Sequence, residues 1–170
     1  WYVSATSGND ITNNGIEAAP FASIQRGIIA AIDGDTVMVA AGTYVENISI
    51  ENKSITLIGS DPATTIIDGN GTGSVVVIAN NSVLSNFTVQ NGTATGTSYG
   101  WGAGIFAEGN IILNNLIVRN NTNSSMNGAG IFLDGAETPT IKNCLIIDNT
   151  GDGIVCHGSR PVIYNVTIVN

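Results

Sequence analysis

Charge is scarce in this sequence. Asp, Glu, Lys and Arg make up 11% of it, against about a quarter of an ordinary soluble domain. The basic residues are five, Arg26, Lys53, Arg119, Lys142 and Arg160, and they are scattered along the chain. No basic stripe exists to neutralise a run of phosphates, so nucleic acid is excluded as a partner. The net charge of −8 also repels anionic polysaccharide unless cations intervene. No apolar run is long enough to span a bilayer, so no membrane segment is expected. Two cysteines, Cys144 and Cys156, are too few for a disulfide scaffold. Walker, zinc-spacing and nucleophile-elbow motifs are all missing.

Apolar residues and small polar ones fill the chain instead. It is 43% hydrophobic with 21 glycines, and Asn, Ser and Thr crowd the gaps between apolar runs. Disorder is excluded by that apolar content. The 170 residues suffice for one domain or a short solenoid built of strands and turns.

Repeats divide the chain. Four segments align: 84–91, 113–120, 141–148 and 163–170, each with asparagine third (Asn86, Asn115, Asn143, Asn165). A second alignment joins 104–109, 130–135 and 153–158, each opening Gly-Ile and closing with glycine. One such coil cannot bury its own inner face, so coils must stack. Strands alternate inward and outward, and parallel coils repeat every ~4.8 Å. An asparagine at an inward bend would bond the asparagine of the next coil. The four asparagines are therefore read as a buried structural ladder.

Before the repeats, Trp1-Tyr-Val3 reads as a strand and residues 4–19 as a loop. Phe21, Ile24, Ile28, Ala31 and Ile32 recur at helical spacing, and Asp33-Gly34 ends that helix. Residues 35–44 read as a strand running into a turn. The pattern Phe21-x-Ser-Ile-Gln-x-x-Ile28, then Gly34-Asp-Thr-Val37, then Gly42-Thr-Tyr-x-Glu-Asn-Ile48 resembles the start of pectate-lyase-like β-helix proteins. The resemblance implies an all-β, right-handed parallel β-helix with one short N-terminal helix plugging its end. Residues 1–45 form the cap and 46–170 the coils. The coils reach Val169-Asn170 without a capping element, which leads us to expect further coils or a second subunit there.

Register sorts the faces. Phe87, Leu116, Cys144 and Val166 point inward, as do Ile105, Ile131 and Ile154 with Ala107, Leu133 and Cys156. Both cysteines are thus expected in the core. The outward face of the Gly-Ile strands carries Val77, Phe106, Phe132 and Val155 in one row, and Ala79, Glu108, Asp134 and His157 in the next. Exposed aromatic rings suit the CH-rich faces of sugars and carboxylates accept bonds from hydroxyls. Phe106, Glu108, Phe132, Asp134 and His157 are therefore the candidate ligand-binding residues, with Tyr99 and Trp101 on the loop before the first of these strands. The other reading has the rings packed under loops 92–101 and 122–126 and the acids merely solvating a strand.

Two function classes follow. One is a non-catalytic extracellular or cell-surface module, structural, adhesive or carbohydrate-binding. Its partner would be a polysaccharide or surface glycan. The other is a polysaccharide lyase or hydrolase. A lyase resembling the superfamily's enzymes needs a basic residue near the substrate carboxylate, and neither Arg119 nor Lys142 falls in the Glu108, Asp134, His157 row. The first class is preferred. No metal site is assigned; turn residues Asp61, Asp68, Asp148 and Asp152 leave Ca²⁺ a candidate cofactor.

Overall fold

The computed structural model describes residues 1–94, 102–124, 128–135 and 137–169. In chain order, β1 (Tyr2–Val3) and α1 (Ile24–Ala30) precede a first coil of β2 (Thr36–Val39), β3 (Gly42–Val45) and β4 (Ile48–Ile50). The next coil holds β5 (Thr56–Gly59), β6 (Thr65–Asp68) and β7 (Val76–Ile78). Then come β8 (Val83–Ser85), β9 (Thr88–Gln90), β10 (Thr93–Ala94) and β11 (Ile105–Glu108). They are followed by β12 (Ile112–Asn114), β13 (Ile117–Arg119), β14 (Thr122–Asn123) and β15 (Ile131–Asp134). Last are β16 (Thr140–Ile147), β17 (Ile154–His157) and β18 (Val162–Val169).

Every ladder between these strands is parallel, and the expected register holds. Leu113 pairs with Leu84 and Ile141, Ile141 with Ile163, and Ile131 with Ile105 and Ile154. Strands β4, β7, β11, β15 and β17 form one face. The other two faces meet at the asparagine bend and fuse where β16 and β18 run unbroken through it. The fold is a pectate-lyase-like parallel β-helix. Its interior is a column of apolar side chains, among them Ile48, Ile67, Ile78, Leu84, Phe87, Val89, Ile105, Leu113, Val118, Ile131 and Ile146. Among the described residues no helix is long and apolar enough to cross a membrane.

The plug is shorter than its sequence pattern. The Ser23 hydroxyl caps α1 by accepting from Arg26 N, while Phe21 is already held as a bridge partner of Val3. At the other end Ala31 turns extended and Asp35 Oδ2 captures Ile32 N, leaving Ile32 exposed rather than on the buried face. Side chains from the connections between strands grip both ends. Glu46 accepts from Ile24 N and Gln25 N at 2.8 and 3.0 Å. Burial pushes its carboxyl above the ordinary value, against the pull of those two N–H groups. Lys53 Nζ donates to the carbonyls of Ile28, Ile29 and Ala31 at 2.7, 2.9 and 2.7 Å. Those carbonyls are the ones a helix end leaves unpaired. Lys53→Met keeps the stem and removes the ammonium, and should cost about 2 kcal/mol. Urea denaturation checks this; a loss under about 0.5 kcal/mol would mean that water replaces the ammonium.

Residues 35–44, expected as a strand running into a turn, hold two strands broken at Ala40-Ala41, because β2 and β3 belong to different faces of the same coil.

The asparagine bend corrects the expected ladder. Asn86, Asn115, Asn143 and Asn165 do occupy one column, but Asn115, Asn143 and Asn165 are exposed and Asn86 is half-buried. Each has a left-handed backbone, with φ between 52 and 65°. Asparagine is there because it tolerates that conformation. Its side chains still bond along the column: Asn86 Nδ2 donates to Gly59 O, Asn115 to Asn86 Oδ1 and Asn165 to Asn143 Oδ1. Asn143 instead donates to Asn114 Oδ1, which interrupts the ladder.

The buried ladder lies one bend further on, at Asn121 and Asn149. Asn121 Nδ2 donates to Val89 O and Asn149 Oδ1, its Oδ1 accepts from Gly92 N, and Asn149 Nδ2 donates to Val118 O. Each follows a left-handed residue, Asn120 or Asp148. The recurrence of Asn91-Gly92, Asn120-Asn121 and Asp148-Asn149 in the sequence carried that signal.

The cysteines part company. Cys144 is buried, with Sγ 3.1 Å from Lys142 O, and burial pushes its thiol upward. Cys156 is exposed, not in the core. It is in register with buried Leu133 but sits on β17, the outermost of the described strands of its face. On β18, Ile163 and Ile168, which are in register with buried Ile141 and Ile146, are exposed as well.

Candidate functional site

The Gly-Ile strands stack so closely because their leading glycines leave room for nothing else. A β-carbon at Gly104 would lie 2.6 Å from Gly130 O, and one at Gly130 would lie 2.4 Å from Gly153 O. This contact locks the register of β11, β15 and β17, and with it the outward rows. Phe106 pairs with Val77 and Phe132, and Phe132 with Val155. Glu108 pairs with Asp134, and Asp134 with His157.

The two phenylalanines are not the exposed platform expected of them. Phe106 is 8% exposed and Phe132 6%. Their rings stack at 6.1 Å between centroids. Gly102, just before β11, runs so close to the backbone of β15 that a β-carbon there would sit 2.7 Å from Phe132 N. These outward rings are covered, and they do not offer an open sugar-stacking surface. Tyr99 and Trp101, the loop candidates, lie outside the described residues.

The polar row is accessible. Glu108 is exposed, Asp134 half-buried and His157 74% exposed at its side chain. His157 Nδ1 lies 2.8 Å from Asp134 Oδ1, which also accepts from Gly135 N at 3.0 Å. The imidazole lies over Phe132, with centroids 6.4 Å apart. A carboxylate can only accept, so Nδ1 carries the proton and Nε2 faces solvent. The ring is thus fixed in direction by Asp134 and in plane by Phe132.

A groove of about 380 Å³ runs beside this row, lined by Glu51, Ala79, Asn80, Glu108, Gly109, Asp134, Gly135 and Glu137. Sequence reasoning placed Glu108 and Asp134 there and missed Glu51, Asn80 and Glu137. Glu51 was within reach of register: Ile50 pairs with Ile78, so Glu51 precedes Ala79, Glu108, Asp134 and His157 in one outward row. Glu137 lies in the turn after β15, where no periodicity operates. The groove presents four carboxylates, whose chemistry is hydrogen bonding to hydroxyls.

They do not converge on an ion. Among the described residues no group of three or more His, Cys, Asp or Glu side chains is placed to hold a metal. Two of the four turn acids considered for Ca²⁺ serve other contacts: Asp61 Oδ1 accepts from Ala63 N, and Asp68 accepts from Asn70 N, Gln90 Nε2 and Asn91 Nδ2.

A family profile described as a protein of unknown function, DUF1565, matches residues 6–169. The chain belongs to this family. No curated protein matches the sequence. Among solved structures, the DUF1565 chain resembles a GH136 lacto-N-biosidase from Eubacterium ramulus at 16% identity and TM-score 0.62, over 85% of this chain and 33% of that one. It also resembles the pectin methylesterase PemA from Erwinia chrysanthemi at 13% identity and TM-score 0.57, over 99% of this chain and 65% of that one. A pectin methylesterase mutant bound to a hexasaccharide matches at 12% identity and TM-score 0.53, over 99% of this chain and 65% of that one. The chain therefore spans a third of the length of the first and just under two thirds of the others. At these identities the likeness is one of fold, a fold shared with carbohydrate-active enzymes.

Proposed function

We propose that this DUF1565 chain is a non-catalytic carbohydrate-binding β-helix module with an adhesive or structural role outside the cell or at its surface. The observation that carries the reading is the accessible row of Glu108, Asp134 and His157 along the 380 Å³ groove. Carboxylates in the groove and a fixed imidazole beside it can bond successive hydroxyls of a chain without needing a deep pocket. The fold's likeness to a lacto-N-biosidase and to pectin methylesterases, one bound to a hexasaccharide, supports a saccharide ligand. A surface poor in charged residues and rich in Asn and Thr supports a hydroxyl-rich partner over a nucleic acid or a lipid.

The test is a glycan array followed by titration of the strongest hit. Glu108→Gln and His157→Ala alter solvent-exposed side chains, and each should weaken binding by at least about fivefold, the loss of one charged hydrogen bond. Unchanged affinity in both variants, or no glycan bound by the parent chain, removes this reading.

One observation favours a second reading, a polysaccharide lyase or hydrolase. The Asp134–His157 pair at 2.8 Å has the geometry of an oriented general base. Incubation with polyuronates and Ca²⁺, followed by ultraviolet absorbance of unsaturated ends and by reducing-end release, decides between them. A rise in either signal that His157→Ala abolishes would overturn the non-catalytic assignment.

A further inference from the structure

The face built by β3, β6, β9 and β13 carries a second outward row: Val45, Asp68, Gln90, Arg119 and then Ile147 of β16. Its polar members are wired in one direction. Asp68 Oδ2 accepts from Gln90 Nε2 at 2.8 Å. The amide must present its NH₂ there, because a carboxylate only accepts, and so its carbonyl faces the next coil. On that coil Arg119 Nε donates to Gln90 Oε1 at 3.0 Å. Burial works to raise the Asp68 carboxyl, but the bonds from Gln90, Asn70 N and Asn91 outweigh it and hold Asp68 below the ordinary carboxylate range. The anionic end of the relay is thus satisfied by three donors of its own.

The cationic end is not neutralised. Among the described residues no carboxylate lies within ion-pair distance of the Arg119 guanidinium. Its Nε is spent on Gln90, which fixes the plane of the group and leaves the Nη1 and Nη2 donors for a ligand. A guanidinium held in that way matches a planar carboxylate through two parallel N–H bonds, and its orientation is set before the ligand arrives. A groove of about 440 Å³ opens one residue beyond Gln90 and Arg119, and Asp68, Asn70, Asn91, Thr93 and Asn120 line it with amide, hydroxyl and carboxylate groups. Val45 adds one apolar side chain to a lining that is otherwise mostly polar and suits hydroxyls.

We infer that Arg119 is a preorganised carboxylate-binding residue, positioned by the Asp68–Gln90 relay, and that its ligand is the uronate group of an acidic saccharide lying in the adjacent groove. The saccharide half of this inference rests on the carbohydrate reading above. The carboxylate half stands on the relay alone, whose guanidinium supplies the local cation that the net charge of −8 otherwise makes necessary. The site is on a different face from the Glu108 groove, so the two are separable by experiment.

The test is calorimetric titration of the whole chain with the trisaccharides of galacturonate, glucuronate, mannuronate and guluronate, with maltotriose and sodium acetate as comparison ligands. Nitrogen-15 NMR follows the Arg119 Nε–H signal in the same samples. At least one tri-uronate should bind saturably, maltotriose should not, and the Arg119 signal should move. Arg119→Gln should weaken binding by about tenfold or more. Gln90→Leu, which keeps the charge and removes the positioning, should weaken it several-fold, and Arg119→Lys should fail to match the parent because an ammonium lacks the fork.

Binding of a tri-uronate that shifts the amides around Asp134 while leaving Arg119 Nε–H still would overturn the inference yet keep the carbohydrate reading. Acetate binding as tightly as a tri-uronate would overturn the saccharide assignment. Failure of every tri-uronate to bind would overturn the inference altogether.

Discussion

Asn121→Leu should be among the most damaging single substitutions in this protein, costing about 3 kcal/mol or more. Leucine is close to asparagine in size, so the loss is one of bonding rather than volume. Asn121 is fully buried, and its side chain serves Gly92 N, Val89 O and Asn149 Oδ1 at 2.8, 3.3 and 3.0 Å. Removing it strands the Gly92 N–H inside the β-helix and takes one bond from Val89 O, at about 1–3 kcal/mol for a buried group left unsatisfied. Asn149 Oδ1 keeps the bond from Asn121 N at 3.0 Å, so the third loss is partial. Asn143→Gly is the contrast. Asn143 is exposed, and what its bend requires is a left-handed backbone, with φ at 56°. Glycine supplies that freely, so the change should cost less than about 1 kcal/mol. Urea midpoints of the two variants measure the difference. Equal losses would mean that the exposed and buried ladders carry the same energetic weight.

Gly130→Ala should come next, at about 3 kcal/mol, toward the upper end of what overpacking costs. The added carbon would stand 2.4 Å from Gly153 O and 3.0 Å from Ile146 Cγ2. Backbone cannot yield there as a side chain would, because Gly153 O is itself the acceptor of Ile131 N at 2.9 Å. Relief requires prising β15 from β17, which breaks the register that places Asp134 beside His157. Near-ultraviolet circular dichroism and glycan binding should therefore fall along with stability. Gly34→Asn tests whether the effect is one of space. Gly34 has φ of +88° and nothing within 4 Å of its added carbon. Asparagine tolerates that backbone region, and the change should stay within about 1 kcal/mol. A Gly130→Ala variant as stable as the parent would show that the coils part at little cost.

These contrasts mark where the sequence could be read and where it could not. Repetition made the coils legible, since Leu84, Leu113, Ile141 and Ile163 can stack in one column only if the chain returns to the same angle each time. Period-two alternation then sorted inward from outward along every strand, and the pairings follow it. Alternation has nothing to say about what lies over an outward side chain. Phe106 and Phe132 point away from the β-helix interior and are buried all the same. The candidate site shrank accordingly to its polar row and gained Glu51, Asn80 and Glu137. Cys156 shows the converse: its position in the strand is an inward one, but on the outermost strand that does not amount to burial.

By itself, then, the sequence determined the β-helix, its register and the row that brings Glu108, Asp134 and His157 together. These follow from local periodicity and from the fact that identical coils must stack. Tertiary structure alone decided which asparagines are buried, which rings are covered and which side chains wire Asp68 through Gln90 to Arg119. Each of those depends on contacts between residues more than twenty positions apart, across coils and loops whose lengths differ. No local pattern encodes such contacts, because a bend can be filled by asparagine for its backbone or for its amide, and only the neighbouring coil distinguishes the two.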